Sequence, residues 1–212
     1  MLSRRDWLIA SAALLVTRPA MASAVADLLV RIARARRDMR TLQGPFKQTR
    51  TIGLLSTDVR STGSITLVRP DRLRWRLDPP DDITFWVGPE GLAYRSAHGQ
   101  GRLPATSARM AGALRDLHEL LGGDPSRLGD RWSLTVLRDD ATGAEIEALP
   151  RAIDASAPES AIARQLRFAL APDLVRPTRA LLAESDHDRT AIEFGDLVIN
   201  APVDESSMRP PG

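Results

Sequence analysis

The side chains best suited to catalysis are the three histidines, His98, His118 and His187. His187 stands in the segment 184–188 with three carboxylates, and imidazole together with carboxylates can bind a metal ion. The same composition is typical of a solvated hairpin turn, which is the interpretation we favour. The sequence has no zinc-protease, nucleophile-elbow, phosphate-loop or dinucleotide motif. We therefore expect no catalytic residue, metal or cofactor, and hydrolysis by an unrecognised triad is the alternative.

Arg69 is a second unusual residue, because its position predicts that its side chain lies on the same face of the strand as the apolar residues before it. Ile65, Leu67 and Arg69 are spaced by two residues, so in an extended strand their side chains share one face. Pro70 then removes a backbone donor where the strand turns. An inward arginine needs carbonyl or carboxylate partners, because an unpaired buried charge costs several kcal/mol. The alternative is that the strand ends at Pro70 and that Arg69 turns outward at the rim.

A period of two residues predicts strands along most of the chain. In the segment Arg72 to Leu77, three arginines alternate with Leu73, Trp75 and Leu77, as in a strand with one buried and one solvated face. The predicted strands are Pro45 to Ile52, Thr57 to Val68, Arg72 to Leu77, Ile83 to Val87, Leu92 to Ser96, Trp132 to Leu137, Glu145 to Leu149, Gln165 to Leu170, Arg179 to Glu184 and Thr190 to Phe194. Turn-forming residues separate these strands, and no linker or internal repeat divides the chain.

Two segments have the spacing of amphipathic helices. The first, Val25 to Met39, has an apolar face with Leu28, Leu29, Ile32 and Ala35, and an opposite, solvated face with Arg31, Arg34, Arg36 and Arg37. The second, Ala105 to Leu121, ends at Gly122-Gly123. This order of elements predicts an α+β, mainly β fold: a strongly curved antiparallel sheet of about ten strands, an unclosed half-barrel with helices covering its concave face. Such a half-barrel encloses an apolar hollow.

Residues 1–24 have the order of an export signal, with Arg4 and Arg5, an apolar run and then small residues. We expect cleavage after Ala22 or Ala24, which leaves residues 25–212 as one domain. A soluble N-terminal helix is the alternative. The segment 3–8 resembles a twin-arginine signal, so both the twin-arginine and the general secretory route stay open.

The composition excludes several classes of protein. The chain has 212 residues, 43% hydrophobic and 26% charged, which suits one globular domain. The absence of cysteine excludes disulfides, thiol catalysis and a cysteine-linked lipid anchor. Without residues 1–24, which hold three Arg and one Asp, 26 basic and 26 acidic residues remain. This balance argues against nucleic acid as a partner, and the export signal predicts a location outside the cytoplasm.

Several stretches of the chain resemble the LolA family of periplasmic lipoprotein carriers. The matching elements are Phe46-Lys47-Gln48, Gly63, Arg69-Pro70, Leu73 to Pro80, Gly91 to Tyr94, Asn200, Asp204 and Met208 to Pro211. The resemblance implies a half-barrel, closed by a helical lid, that shelters the acyl chains of a lipoprotein in a Gram-negative envelope. An inner-membrane transporter would release this cargo to the carrier, and an outer-membrane acceptor would receive it. The resemblance further implies a monomer in the periplasm.

The resemblance also implies roles for individual residues. Arg69 matches the arginine that binds backbone carbonyls of the lid in the family, which favours an inward latch over the rim. The cavity would be lined by Phe46, Ile65, Leu67, Leu73, Trp75, Leu77 and Phe85. The lid helix would contribute Met110, Leu114, Leu117 and Leu121.

Three other functions stay open. A LolA-like carrier could serve a glycolipid or a polyene lipid, because Leu73, Tyr94 and Met208 depart from the family's aromatic pattern. An extracytoplasmic lipid hydrolase is a second alternative. A sensor of mislocalised lipoproteins is a third, although we expect a chain of 212 residues to be too short for the extra domain of such a sensor.

Overall fold

A computed structural model describes residues 18–53, 57–104, 116, 118–123, 128–129, 132–151 and 164–211 of the chain. Within these residues there is one long helix, α1 (Arg18–Ala35), and a 12-stranded antiparallel sheet. The strands are β1 Thr41–Ile52, β2 Thr57–Val68, β3 Arg72–Leu77, β4 Ile83–Gly88, β5 Gly91–Ser96, β6 Gly99–Pro104, β7 Trp132–Asp140, β8 Gly143–Pro150, β9 Gln165–Leu170, β10 Pro177–Ala183, β11 Arg189–Phe194 and β12 Val198–Ile199. In this part of the chain, no helix combines the length and apolarity needed to cross a bilayer.

The strand order defines an open sheet. The order is β6-β5-β4-β3-β2-β1-β11-β10-β9-β8-β7, with β12 paired to β1 outside this path. The sheet does not close into a barrel, which confirms the unclosed half-barrel. The strands β6 and β7 follow each other in sequence but lie at opposite ends of this order.

One face of the sheet, which we call the inner face, is apolar across its width. Leu67 pairs with Leu42 on one side and with Leu73 on the other, so the three side chains share this face. Ile146 and Phe168 pair in the same way at the other end of the sheet. The opposite, outer face carries alternating polar residues, as expected for strands with one buried side.

The inner face carries two buried clusters. The first centres on β1 to β3 and includes Leu121 from the segment between β6 and β7. The second joins β7 to β9 with Leu28 and Ile32 of α1. An ion pair of 2.5 Å between Arg31 and Asp139 also connects α1 to β7. A helix therefore covers part of the inner face, as the sequence predicts.

The structure corrects some boundaries. Two strands were not predicted: β6, whose glycines and proline give little strand signal, and the two-residue β12. The predicted helix from Val25 to Met39 instead runs from Arg18 to Ala35. It thus begins inside the predicted export signal, whose cleavage stays a prediction.

Candidate functional site

The residues predicted to line the hollow lie together on the inner face. The buried ones belong to one cluster: Phe46, Ile65, Leu67, Leu73, Trp75 and Leu77. Phe85 is half-buried and packs against this cluster. The Phe46 and Trp75 rings are 4.0 Å apart between centroids and tilted by 34°. The structure thus gathers these side chains into one apolar surface, and their contact with a lipid stays a prediction.

The described part of the predicted lid lies against both clusters. We call its described residues 118–123 the lid turn. Leu121 belongs to the first cluster and the adjacent Leu120 to the second, so the lid turn spans the junction between the clusters. Gly122 allows the close approach, because a Cβ there would lie 2.6 Å from Cδ2 of Leu67. The other predicted lid residues, Met110, Leu114 and Leu117, lie outside the described residues.

Arg69 contacts the end of α1. Its Nη1 donates a hydrogen bond of 2.6 Å to the backbone carbonyl of Arg36, and the side chain is half-buried. Its backbone N–H donates to the carbonyl of Arg40, at 2.9 Å. Arg69 therefore connects the β2–β3 turn to the turn between α1 and β1. Its partner is not a carbonyl of the described part of the predicted lid, and its role as a latch stays a prediction.

Arg36 is the main residue of this region for which the predicted exposure was wrong. It was predicted on the solvated face of the helix, but its side chain is only 1% exposed. Leu28, Ile32 and Arg36 follow each other at intervals of four, which puts them on one helical face. Ala35, predicted on the apolar face, is exposed. The spacing of Arg36 from Ile32 indicates the buried face of the helix, whereas the charge of Arg36 favours the solvated face.

The guanidinium of Arg36 has no hydrogen-bond partner among the described residues. Its Nε, Nη1 and Nη2 are all buried and unpaired. Burial, followed by the positive charge of Arg69, lowers the pKa of Arg36 to about 10, while Asp173 opposes this shift. The group is therefore still cationic at neutral pH. A buried cation without a hydrogen-bonded partner lies beside the apolar inner face.

Residues 200–211, the C-terminal strap, begin with a tight attachment to β1. The Asn200 side chain accepts hydrogen bonds from the backbone N–H groups of Arg40, at 2.7 Å, and Thr41, at 3.3 Å. Its amide nitrogen donates to the carbonyl of Asp38, at 3.0 Å. Asn200 has a φ of 58°, a left-handed conformation that asparagine tolerates better than most residues. This residue, which matches the family's closing asparagine, therefore fixes the direction of the strap.

The strap then crosses the outer face of β3 and β4. Trp86 donates its indole N–H to the carbonyl of Ser207, at 2.9 Å, and Arg72 forms an ion pair of 2.9 Å with Glu205. Met208, which stands where the family's closing element has a phenylalanine, is buried. The contacts of Trp86 and Arg72, together with those of Asn200, hold the strap on the sheet.

A cavity of about 510 Å³ lies between the strap and the β4–β5 turn. It is lined by Arg72, Trp86, Val87, Gly88, Pro89, Glu90, Gly91, Leu92, Ala93, Arg102, Met208, Arg209 and Pro210. Trp86 pairs with Arg74 across β3 and β4, so its side chain is on the outer face. Trp86 therefore lines the cavity from the outer face, and Val87, which also lines it, packs against the first cluster.

The histidines do not assemble a catalytic or metal centre in the described part of the chain. His98 and His187 are exposed, and His118 is buried in the lid turn. Asp188 accepts hydrogen bonds from the backbone of Gly53, at 3.0 Å, and from the Ser185 hydroxyl, at 2.8 Å. Its carboxylate is thus used within the turn, and no metal-binding group of three such side chains occurs among the described residues.

Comparison with known proteins relates the chain to solved structures only. No protein-family model matches it, and no curated protein matches it. A LolA superfamily protein from Nitrosomonas europaea is 8% identical over 87% of this chain and 96% of its own, with a TM-score of 0.47.

Two further similar structures come from different bacteria. An uncharacterised conserved protein from Thermus thermophilus is 6% identical over 89% of this chain and 94% of its own, with a TM-score of 0.54. The MucA/MucB complex of Pseudomonas aeruginosa contains a chain that is 18% identical over 89% of this chain and 61% of its own, with a TM-score of 0.49. At these identities the likeness concerns the fold.

Proposed function

We propose that the protein is a periplasmic carrier that shelters the acyl chains of a lipoprotein or a related lipid on its inner face. The observation that carries this proposal is the continuous apolar surface of a sheet that does not close. Its first cluster, around Leu67 and Trp75, packs against a described turn of the segment between β6 and β7 through Leu121. A cover of this kind can move aside without breaking the hydrogen bonds of the sheet.

The energetics of lipid transfer require such a surface. Each buried methylene contributes about 0.8 kcal/mol, so a long acyl chain needs on the order of 10 kcal/mol of shelter to cross water. A flat polar surface cannot supply this energy. Side chains such as Leu67, Leu73 and Trp75 supply it when the cover is displaced and the chain takes its place.

The Arg69 bond ties the turn after α1 to the β2–β3 turn, so in a two-state cycle α1 would be the part of the cover that this bond holds. A hydrogen bond from a charged donor contributes about 1.5–3 kcal/mol, which is small compared with the energy of burying an acyl chain. The closed, empty form is therefore favoured in the absence of cargo, and cargo binding overcomes it. A weak latch of this size also allows the cargo to leave at an acceptor.

The remaining parts of the proposal follow from the sequence. Residues 1–24 direct export, and the carrier receives its cargo from an inner-membrane transporter and passes it to an outer-membrane acceptor. The protein performs no chemistry on the cargo and needs no cofactor. The resemblance of its sequence to the LolA family supports this view.

Native mass spectrometry of the protein purified from its own envelope tests the proposal. We expect an acyl-containing ligand that is released intact on denaturation. Turnover of an ester substrate would support the hydrolase instead, and a protein that is free of lipid under every condition would overturn the carrier.

A pair of variants tests the latch. We expect Arg69→Leu to fold and to load cargo but to deliver it poorly to acceptor membranes. Arg76→Leu, which removes an exposed arginine from the outer face of β3, serves as the matched control. Equal delivery by the two variants would remove Arg69 from the cycle.

A further inference from the structure

Arg36 is held at a fixed place beside the inner face. Its backbone N–H donates to the carbonyl of Ile32, at 3.0 Å, so it extends the last turn of α1. Its own carbonyl accepts hydrogen bonds from the N–H of Met39, at 3.1 Å, and from Nη1 of Arg69. Along the chain, Arg36 lies between Ile32 of the second cluster and Met39 of the first, and its side chain is buried.

The charges around Arg36 leave its guanidinium uncompensated. Arg69 repels it, and the attractive group is Asp173. The carboxylate of Asp173 is already used, because it accepts from the backbone N–H groups of Val175, at 2.9 Å, and Arg176, at 3.0 Å. It also accepts from Nε of Arg176, at 2.6 Å. Asp173 thus lowers the cost of a cation nearby without taking the hydrogen bonds that Arg36 can donate.

A planar guanidinium whose donors have no hydrogen-bond partner among the described residues matches an oxyanion. Carboxylate and phosphate groups accept two parallel hydrogen bonds from arginine, which no neutral lipid headgroup does in the same way. A buried and unpaired charge is costly to a fold, so its persistence is explained when a ligand supplies the missing partner. The adjoining apolar surface suits the hydrocarbon part of the same ligand.

We propose that Arg36 binds the anionic headgroup of the cargo, a carboxylate or a phosphate, while the acyl chain lies on the inner face. This inference rests on the proposed carrier function and narrows its cargo to acidic lipids. Arg69, whose guanidinium lies close to Arg36, adds positive charge at the headgroup. Binding of the anion then relieves the repulsion between the two arginines.

The test compares three probes with the full, delipidated chain: hexadecanoate, hexadecanol, which has the same chain without the charge, and acetate, which has the charge without the chain. The variants are Arg36→Met, which keeps an apolar side chain of similar length, and Arg37→Met, which changes the exposed neighbour as a control. Titration calorimetry at pH 8 gives the affinities.

We expect the wild type and Arg37→Met to bind hexadecanoate at least about tenfold more tightly than hexadecanol, as for a charge-assisted hydrogen bond. Arg36→Met should lose this preference and keep its affinity for hexadecanol. It should also melt at a higher temperature than the empty wild type, because it removes an unpaired buried charge.

The contrary results separate the two levels of inference. Equal wild-type affinity for the two lipids, an unchanged preference in Arg36→Met, or a lower melting temperature of that variant would overturn the headgroup site and leave the carrier intact. If acetate binds as tightly as hexadecanoate, Arg36 binds free anions, and the proposal that it binds a lipid headgroup is overturned. If neither lipid binds, the carrier function itself fails.

Discussion

Replacing Arg69 by leucine probes the hydrogen bond that we propose as the latch of the closed state. In the wild type, Nη1 of Arg69 lies 2.6 Å from the carbonyl oxygen of Arg36, in the turn that follows α1. Leucine removes this donor, and the Arg36 carbonyl then retains its bond from the N–H of Met39. The last turn of α1 should therefore open more often, while the sheet stays folded.

The structure sets the size of the effect. A charged donor to a carbonyl contributes about 1.5–3 kcal/mol. Repulsion between the guanidinium groups of Arg69 and Arg36, which also lowers the pKa of Arg36, offsets part of this energy. We expect a net loss of about 1–2 kcal/mol, which corresponds to about 5- to 30-fold more frequent opening.

Native-state hydrogen exchange measures this opening directly. The amide of Arg36, bonded to the carbonyl of Ile32, and the amide of Met39 report on the turn. Both amides should exchange about 5- to 30-fold faster in Arg69→Leu than in the wild type. The control Arg76→Leu should leave them unchanged. Equal exchange rates in Arg69→Leu and the control would refute the latch.

Three further perturbations test the fold around the site. In Gly63→Ala, the new methyl group would meet the backbone of β3 and lie 2.6 Å from Cζ of Phe46. The free energy of unfolding in urea should therefore fall by about 1–3 kcal/mol. An unfolding midpoint equal to that of the wild type would contradict this. Leu121→Ala should lower the free energy of unfolding by about 2–5 kcal/mol, because Leu121 is fully buried, and a loss under about 1 kcal/mol would show that the lid turn is not packed. Hydrogen bonds, first that from the Ser206 hydroxyl, hold the pKa of Asp204 below its ordinary 3.8. The wild type should therefore be more stable than Asp204→Asn above pH 3.8, and this difference should disappear as the pH falls through the lowered pKa. A difference that persists in strong acid would contradict this.

The sheet could be predicted from the sequence because its strands have one apolar and one polar face. The segment Arg72–Leu77 alternates without exception, and its predicted and observed ends coincide. The strand Gly99–Pro104 could not be found in this way, because its glycines and proline carry no alternation. It forms because β5 offers a free edge, which is a property of the assembled sheet.

The site could be predicted only in part. The apolar inner face follows from strand parity, and parity also drew attention to Arg69. The partner of Arg69, however, is a backbone carbonyl 33 residues earlier, and no pattern along one strand reveals such a contact. Arg36 was missed because a charged residue on a helix is usually solvated, although its spacing from Leu28 and Ile32 places it on the buried face.

Tryptophan quenching by a brominated lipid tests the central claim most directly. The protein has four tryptophans, of which Trp75 lies on the inner face and Trp86 on the outer face beside the strap cavity. Two variants keep one of these residues each and replace the other three tryptophans by phenylalanine. When dibromohexadecanoate binds, we predict that the emission of Trp75 falls and that the emission of Trp86 is retained. Quenching of Trp86 with Trp75 unaffected would place the lipid under the strap and contradict an acyl site on the inner face.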